Sequence, residues 1–333
     1  MHIWMPMIKT GTGAEVYAKR LSSGLISRGH EVQLELYPHF LQYCPWLAPA
    51  FLPAKCEIII ANSWSAKAFE RSGVPLVTIM HHVVHGSDLR PYKSLPQKAF
   101  HAGFIRPMES AAIAASKAIV AVSESTANAT RAEFGYSSVH TILNAVDTEF
   151  FKPNGNKSRD SRTPLRLLFV GKPSRRKGFD TVASFCEAMG SRAELVMAGP
   201  AQEEILPCVQ AIRLGRVTDC ELRDEYRKAD FLLLPSHVEG FGYVAAEAMA
   251  CGTPVLCLAG GAVEEVVCPP NGGILLNPED LTASAETVCK IANDPDQMMN
   301  LRRNARSIAM DRFTVGRWLD EFESLLSSLV PAH

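Results

Sequence analysis

Short apolar runs alternate with longer helical patterns along this chain, and this alternation constrains the fold more than any other feature. In the first half the runs lie at residues 57–60, 76–80 and 118–122. In the second half they lie at residues 165–170, 194–198, 211–215, 231–234 and 254–257. Apolar runs of this length are typical of strands that are buried on both faces of a parallel sheet.

Helical patterns occupy the intervals between these runs. The clearest lie at residues 14–28, which end at Gly29 in a C-cap position, and at residues 219–228, 242–250 and 314–329. Alternating strands and helices predict an α/β protein with two Rossmann-like, doubly wound domains. Two such domains are expected to face a central cleft, with ligands at the carboxyl ends of the strands.

The chain length and one polar run predict where the domains meet. The 333 residues are enough for about two domains. Residues 152–164 are rich in Pro, Gly, Asn and Ser and form the best linker candidate. We therefore predict an N-terminal domain over residues 1–152 and a C-terminal domain over residues 153–313. A terminal helical segment is predicted over residues 314–333.

Composition excludes several classes of protein. A formal net charge of −1 argues against a dedicated nucleic-acid binder. The longest apolar runs fall short of the roughly 18 residues that a membrane-spanning helix needs, and the first residues do not resemble a signal peptide. The nine cysteines contain no CxxC pair, which argues against a disulfide framework or a zinc site. The expected location is therefore cytoplasmic.

The segment 235–254 carries the densest set of candidate functional residues. Gly240, Phe241 and Gly242 form a glycine-bearing loop between a predicted strand and a predicted helix. Their backbone amides and the helix N-terminus are suited to phosphate or sugar oxygens. Glu239 and Glu247 stand eight residues apart, and their carboxylates could accept hydrogen bonds from sugar hydroxyls. A capped surface helix with two solvated acids is the alternative interpretation.

Residues 171–178 form a basic turn between a strand and a helix. The cations are Lys172, Arg175, Arg176 and Lys177, and three of the four can reach one point near the helix N-terminus. Such a group would neutralise a diphosphate and stabilise it as a leaving group. A solvated basic turn is the simpler alternative.

Two further candidates lie in the first half. Gly11, Thr12 and Gly13 follow a short strand and would permit close approach of a ligand, but they do not complete a G-x-G-x-x-G fingerprint. His81, His82 and His85 follow the strand at residues 76–80, and His81 is the best placed for the edge of the sheet. Their spacing does not match the metal-binding H-E-x-x-H pattern.

Taken in order, these motifs resemble the retaining glycosyltransferase family 4, of GT-B fold. The resemblance covers nearly the whole chain, through residues 11–15, 28–32, 120–125, 144–153, 171–178, 198–200, 214–217, 229–254 and 260–264. The Glu-x7-Glu pair, Glu239 and Glu247, is its most specific part. Lys172 stands where the family usually has Arg, and Ala145 stands where it favours Gly.

The resemblance implies roles for individual residues. Glu247 would bind the ribose, while Glu239 and the amides of residues 240–242 would bind the donor sugar. Lys177, with Arg176 or Lys172, would stabilise the departing diphosphate. His81 would contact the donor sugar, and Arg216 and Val217 would present backbone groups to the nucleobase. Gly11, Thr12 and Gly13 would approach the donor or the acceptor. The first domain would bind the acceptor, the second domain would bind the nucleotide sugar, and the helix over residues 314–333 would pack back on the first domain.

The resemblance also implies an activity. A hexosyltransferase would move a sugar from a UDP- or GDP-sugar to a glycan or lipid-linked acceptor, as in bacterial surface polysaccharide, lipopolysaccharide or glycolipid synthesis. An Asp-x-Asp motif after a strand of the first domain is missing, so a metal or other cofactor is not expected. A nucleotide-sugar epimerase and a nucleotide-sugar sensor or scaffold without turnover are the alternatives.

Membrane contact is a separate expectation. The first 152 residues contain 14 basic and 11 acidic residues, and Trp46, Leu47 and Phe51 lie near three prolines. These features are compatible with peripheral contact at the inner face of a membrane. They are equally compatible with a proline-rich acceptor loop.

Overall fold

Two six-stranded parallel sheets, one in each half of the chain, form the framework of the protein. The computed structural model describes residues 1–9, 11, 13–48, 51–155, 163–200 and 211–330. One structural unit consists of Met1–Asn144 with the C-terminal segment that begins at Val315, and the other consists of Ala145–Thr314. The predicted α/β class with two doubly wound sheets is confirmed.

The first sheet has the strand order β2-β1-β3-β4-β5-β6. Its strands are β1 (His2–Ile8), β2 (Glu31–Tyr37), β3 (Ile58–Asn62), β4 (Leu76–Met80), β5 (Ala118–Ala121) and β6 (Val139–Thr141). The residues of β4 and β5 are all buried, as expected for central strands covered on both faces. In β2, which lies at the sheet edge, only Tyr37 is fully buried, so this strand does not read as an apolar run.

Helices cover this sheet. They are α1 (Gly13–Ser27), α2 (Ala66–Phe69), α3 (Leu95–Phe100), α4 (Arg106–Ala115) and α5 (Glu124–Phe134). Ser123 caps α5 by accepting a hydrogen bond from the Thr126 amide at 3.0 Å.

The second sheet has the strand order β12-β11-β10-β7-β8-β9. Its strands are β7 (Leu165–Val170), β8 (Ala193–Ala198), β9 (Ala211–Gly215), β10 (Phe231–Leu234), β11 (Val255–Cys257) and β12 (Gly273–Leu275). Its helices are α6 (Phe179–Met189), α7 (Asp219–Lys228), α8 (Tyr243–Ala250), α9 (Gly261–Val267), α10 (Leu281–Asn293) and α11 (Pro295–Arg312). The core of this unit includes Phe169, Phe185 and Phe231, which are all fully buried.

The last helix, α12 (Val315–Leu329), belongs to the first unit. Trp318 is buried against Tyr17 of α1, with ring centroids 5.2 Å apart in an edge-on arrangement. Leu319 lies over Gly24, where an added Cβ would come within 2.7 Å of the leucine side chain. Arg28 donates to Asp320 at 2.8 Å at the rim of this contact.

The units separate at Asn144/Ala145, eight residues before the predicted boundary at Lys152/Pro153. The reason lies in Arg306 of α11, whose guanidinium donates to the carbonyl oxygens of Thr148 and Phe151 at 3.1 and 2.9 Å. These contacts hold the segment before the polar run on the second unit. Most of the predicted strands start and end within one residue of the observed ones. Across the described residues we find no helix long and apolar enough to cross a bilayer.

Candidate functional site

Glycine turns shape the edge of the second sheet where β7 and β8 end. Gly171 follows β7 with φ +122°, and Gly199 follows β8 with φ +149°. A Cβ on Gly199 would lie 2.4 Å from the Gly171 carbonyl oxygen, so only glycine permits this approach. The two turns therefore meet at one point of the sheet edge.

A short 3₁₀ turn, Arg175–Lys177, carries the basic residues from this edge into α6. The Ser174 side chain accepts from the Lys177 amide and caps the turn. The turn ends at Gly178, which has φ +65° and whose missing Cβ would lie 1.9 Å from the Pro235 carbonyl oxygen. Because the backbones touch here, the basic turn is fixed beside the loop that follows β10.

Lys177, Arg176 and Glu239 form one charged cluster at this place. Lys177 Nζ is hydrogen-bonded to Glu239 Oε1, and Arg176 Nη1 lies 3.7 Å from Glu239 Oε2. The Arg176 guanidinium also donates to the Val238 carbonyl at 2.8 Å. The structure thus brings together three residues that the sequence placed in two separate motifs.

Glu239 is ionised in this cluster. Burial by itself would raise its pKa, but the charge of Lys177, the hydrogen bond from Lys177 and the charge of Arg176 together hold the pKa below its ordinary value. The carboxylate is therefore an acceptor of hydrogen bonds at neutral pH. The two cations are among its present partners.

The loop 240–242 leads from Glu239 into α8. Gly242, with φ +96°, precedes the first residue of α8, so the amides of the first helical turn lie at the sheet edge. The Phe241 side chain is buried against Tyr243 and Phe313, with ring centroids 5.4 and 5.5 Å away. Only its backbone is therefore left for a ligand.

Glu247 lies on the second turn of α8 and is 8% exposed. Its Oε2 accepts a hydrogen bond from the Tyr226 hydroxyl at 3.1 Å. Burial and the neighbouring Glu247 charge raise the pKa of Tyr226 well above its ordinary value, so the phenol stays a donor. A buried carboxylate that is fixed by a tyrosine is preorganised, and its predicted contact with a ribose stays a prediction.

Three other predicted donor residues lie outside this charged cluster. Lys172 and Arg216 are exposed, after β7 and after β9, and Val217 is half-buried. Arg175 is exposed on the 3₁₀ turn, whereas Arg176 faces Glu239, so Arg176 is the better placed of the two arginines. Their predicted roles toward a nucleotide sugar stay predictions.

The first unit contains a cavity of about 330 Å³ at the carboxyl ends of its strands. His81 lies in its wall, directly after β4, and its Nε2 is 2.9 Å from Asn62 Oδ1. Burial lowers the pKa of His81 to about 4, so the imidazole is neutral at physiological pH. The cavity is lined by Ile8, Ala14, His39, Gln42, Asn62, Ser63, Trp64, Ser65, His81, His82 and Val84.

His85 lies apart from the residues that line the cavity. Its Nδ1 is 3.3 Å from Glu109 Oε2 and its Nε2 is 3.6 Å from Glu133 Oε1, while Glu109 accepts a hydrogen bond from Ser63 at 2.7 Å. Ser63 lines the cavity, so the buried Glu109 lies directly behind its wall. His85 therefore lies behind this wall, next to Glu109 and directly after Val84 in the chain.

The N-terminal glycine loop leads into α1, and the first turn of this helix reaches the cavity. Gly11 has φ +63° and its amide is 3.3 Å from Glu15 Oε2, and Gly13 is the first residue of α1. Ala14, the next residue, lines the cavity. Thr12 lies outside the described residues.

Sequence reasoning missed most of the cavity wall. The apolar run of β3 is followed by Asn62, Ser63 and Trp64, whose side chains can all form hydrogen bonds. This change at the end of a strand is the signal that could have identified them. His39 and Gln42 lie on a 3₁₀ turn after β2, and nothing in their spacing indicates a site. Within the described part of the chain, no group of three or more potential metal ligands occurs.

Comparison with known proteins agrees with this architecture. Residues 33–150 match the family described as Glycosyltransferase Family 4, and residues 151–308 match the Glycosyl transferases group 1 family. The chain is 31% identical over 288 residues to D-inositol 3-phosphate glycosyltransferase 1 of Catenulispora acidiphila, covering 76% of this chain and 68% of that protein.

Two solved structures share the fold over almost the entire chain. Sucrose-phosphate synthase from Thermosynechococcus elongatus has a TM-score of 0.79 and 19% identity, with 98% of this chain and 99% of that chain covered. Anabaena HepE in complex with UDP and glucose has a TM-score of 0.73 and 17% identity, with 98% and 100% covered. These identities support the GT-B fold and nothing further.

Both family matches and the curated relative lead to one conclusion. The chain belongs to the family 4 glycosyltransferases and is a transferase enzyme. The predicted glycosyltransferase family and the transferase activity are confirmed, while the retaining mechanism and the role of the Glu-x7-Glu pair stay predictions.

Proposed function

We propose that this glycosyltransferase moves a sugar from a nucleoside-diphosphate sugar to an acceptor hydroxyl with retention at the anomeric carbon. The observation that carries the proposal is the cluster of Lys177, Arg176 and Glu239 beside the glycine loop of the second unit. Two cations, an ionised carboxylate and helix-start amides are the groups that a diphosphate and a sugar require. The solved Anabaena relative was crystallised with UDP and glucose, which supports a nucleotide-sugar donor.

The proposed reaction replaces one bond to the anomeric carbon by another. The bond between that carbon and the donor phosphate oxygen breaks, and its electron pair leaves with the nucleoside diphosphate. The acceptor oxygen bonds to the same face of the carbon, and its proton passes to the departing phosphate. Lys177 and Arg176 would stabilise the negative charge that develops on that phosphate.

The charged cluster suggests how a donor would be accommodated. In the free protein Lys177 and Arg176 neutralise Glu239. A bound diphosphate would draw the two cations toward itself, because it carries more negative charge than one carboxylate. Glu239 would then be free to accept hydrogen bonds from the sugar hydroxyls. Glu247, held by Tyr226, would accept from the ribose.

The proposal is tested by a donor screen without acceptor. Thermal unfolding and nucleotide release are measured with UDP-, GDP- and ADP-sugars. We expect one donor class to raise the unfolding temperature and to release its nucleotide slowly by transfer to water. Stabilisation without any release would favour a nucleotide-sugar sensor, and conversion of the sugar without release would favour an epimerase. The absence of stabilisation by every donor would contradict the proposal.

A lipid-linked acceptor of surface-glycan synthesis is a finer part of the same proposal. Trp46, Leu47 and Phe51 are 63%, 64% and 82% exposed on the first unit. Exposed aromatic and aliphatic side chains of this kind insert into the interface of a bilayer. Co-sedimentation with anionic liposomes at low salt is expected to fall strongly in a Trp46→Ser/Phe51→Ser variant. Background binding of the unaltered protein would exclude membrane contact.

A further inference from the structure

The cavity of the first unit has an uncharged wall. Its described lining supplies amide, hydroxyl and imidazole groups from Asn62, Gln42, Ser63, Ser65 and three histidines. The remaining lining is apolar or aromatic. Among these described residues there is no lysine, arginine, aspartate or glutamate. A ligand in this cavity therefore meets hydrogen-bonding groups, but no lysine, arginine or carboxylate of the described lining can balance a charge on the ligand.

Two histidines of the wall have polar or aromatic neighbours. His39 Nδ1 lies 2.8 Å from the Lys9 carbonyl oxygen, and its Nε2 lies 2.8 Å from Gln42 Nε2. His81 packs edge-on against Tyr17, with ring centroids 4.8 Å apart. Burial lowers the pKa of His81 to about 4, so this imidazole is neutral at physiological pH.

The wall also offers an aromatic surface. Trp64 is half-buried and lines the cavity between Ser63 and Ser65. The apolar C–H face of a sugar or polyol ring can pack on an indole, while its hydroxyls reach the neighbouring amides and hydroxyls. A volume of about 330 Å³ is at the lower end of the roughly 300 to 1,000 Å³ found for small-molecule pockets. It suits one or two rings.

A phosphorylated ring does not suit this wall. A phosphate ester brings nearly two negative charges, and transferring them from water to a cavity without cations costs several kcal/mol or more. Phosphate sites normally supply arginine, lysine or a row of backbone amides. The described lining contains no arginine or lysine, and of the third kind it has only the start of α1 at Ala14.

We propose that this cavity is the acceptor site and that it takes an uncharged sugar or polyol ring packed on Trp64, in contrast to a phosphorylated acceptor. This inference rests on the proposed function, because it assigns the acceptor of that reaction. It also separates this chain from its relative in Catenulispora acidiphila, whose name specifies inositol 3-phosphate.

The test measures binding to the complete protein, without donor and without turnover. Dissociation constants are determined by saturation-transfer NMR for two pairs of probes. These are myo-inositol against inositol 3-phosphate, and methyl α-D-glucopyranoside against glucose 6-phosphate. We expect at least one neutral probe to bind, and to bind at least ten-fold more tightly than its phosphate ester.

Two variants locate the binding. Trp64→Ala is expected to weaken the neutral probe at least ten-fold, and Gln42→Ala, on an accessible 3₁₀ turn, about three-fold or more. Ile26→Ala is the matched control, because Ile26 is exposed on α1 of the same unit and lies outside the cavity lining. It is expected to leave the dissociation constant unchanged. Circular dichroism confirms that each variant is folded.

Three outcomes would overturn the inference: equal or tighter binding of the phosphate esters, binding that neither variant weakens, and no binding of either neutral probe. The donor screen depends on residues of the second unit. Failure of the proposed function can therefore be distinguished from failure of this inference about the acceptor. Donor-dependent nucleotide release with any of these outcomes would retain the glycosyltransferase proposal and reject the acceptor class.

Discussion

Single residues of the second unit carry charges that neutralise one another. Lys177 and Arg176 both contact Glu239, which stays ionised although it is largely buried. Glu247 is fixed by a tyrosine instead of a cation. The two carboxylates of the Glu-x7-Glu pair therefore differ in environment, and substitutions at the two sites should have different effects.

Lys177→Ala removes the cation that contacts Glu239 most closely. We expect turnover to fall about 100-fold or more, because a preorganised charge that stabilises a leaving group typically contributes that much. The measurement is the rate of nucleotide release with saturating donor. Arg175→Ala is the control, since Arg175 is exposed on the same turn. A rate near that of the unaltered enzyme would remove Lys177 from the mechanism.

Glu247→Gln retains the shape of the side chain and removes its charge. We expect donor affinity to fall about ten-fold, the usual effect of losing a charged hydrogen-bond acceptor, with little change in acceptor affinity. Isothermal titration with donor and with acceptor separates the two. Tyr226→Phe should give a smaller effect of the same kind, because it loosens the carboxylate without neutralising it. Unchanged donor affinity would exclude the ribose contact.

Glu109 is expected to give the first unit a pH-dependent stability. Burial raises the pKa of this carboxyl to about 8, against the lowering effects of Ser63, Trp64 and Lys93. In the unfolded chain the same group titrates near 4.5. Between these values the unfolded chain releases a proton that the folded protein retains. The contribution of Glu109 to stability therefore falls as pH rises from 4.5 to 8.

Glu109→Gln removes this titration. The free energy of unfolding of the variant, relative to the unaltered protein, should increase by about 3 kcal/mol between pH 5 and pH 8 and then level off. His85, Lys93 and Glu133 face the same group and are present in both proteins, so the comparison isolates Glu109. Urea unfolding at several pH values provides the measurement. Parallel curves for the two proteins would show that Glu109 is ionised when folded.

At the scale of secondary-structure elements, the sites lie where strands give way to turns. The carboxyl ends of β7, β8 and β10 are brought together by glycines at backbone contacts, of which Gly178 is the tightest. The carboxyl ends of β3 and β4 supply Asn62 and His81 to the cavity of the first unit. Parallel strands place these ends on one edge of each sheet, which is why residues distant in sequence meet there.

Gly178→Ala tests the contact between the basic turn and the loop after β10. The new methyl group would meet the Pro235 carbonyl oxygen at 1.9 Å, so the turn must move. We expect a loss of stability of about 2 kcal/mol or more, together with a strong loss of turnover. Gly135→Ala is the matched control. It has nearly the same φ, +66°, but open space around the new Cβ, and should cost about 1 kcal/mol. Equal effects of the two substitutions would contradict the argument.

At the scale of the whole molecule, the chain forms two units and its last helix returns to the first. The apolar face of α12 is buried, with Trp318, Leu319 and Phe322 against or near α1. The N-terminal unit is therefore completed by residues from the end of the sequence. A substitution that disrupts the packing of α12 should therefore lower the stability of the first unit and leave the stability of the second unit unchanged.

Trp318→Ala is expected to destabilise the first unit by about 3 to 5 kcal/mol, the usual cost of truncating a large buried aromatic residue. Hydrogen exchange measured by mass spectrometry should show lost protection in β1, α1 and α12. Peptides from β7 to α11 should keep their protection. Val315→Ala, at a 37% exposed position of the same helix, should change little. Equal loss of protection in both units would contradict this division.

The sequence by itself determined the fold class, the family and most of the strands. A buried parallel strand reads as an apolar run and a helix reads as a 3.6-residue period, and both signals are local. The strands at residues 76–80, 165–170, 211–215 and 231–234 and the helix at 219–228 are confirmed to the residue. The edge strand β2 and the short β6 and β12 were not predicted, because partial burial or shortness gives no clear periodicity.

Only the tertiary structure decided which groups meet and in which protonation state. Lys177 and Glu239 are 62 positions apart, and they are paired because Gly178 allows two backbones to touch. The cavity wall combines residues from four regions between Ile8 and Val84, and the neutral state of His81 follows from its burial in the folded chain. Glu109 is similar in sequence context to any helical glutamate. Its raised pKa follows from burial, which is a property of the packed chain and not of the residue.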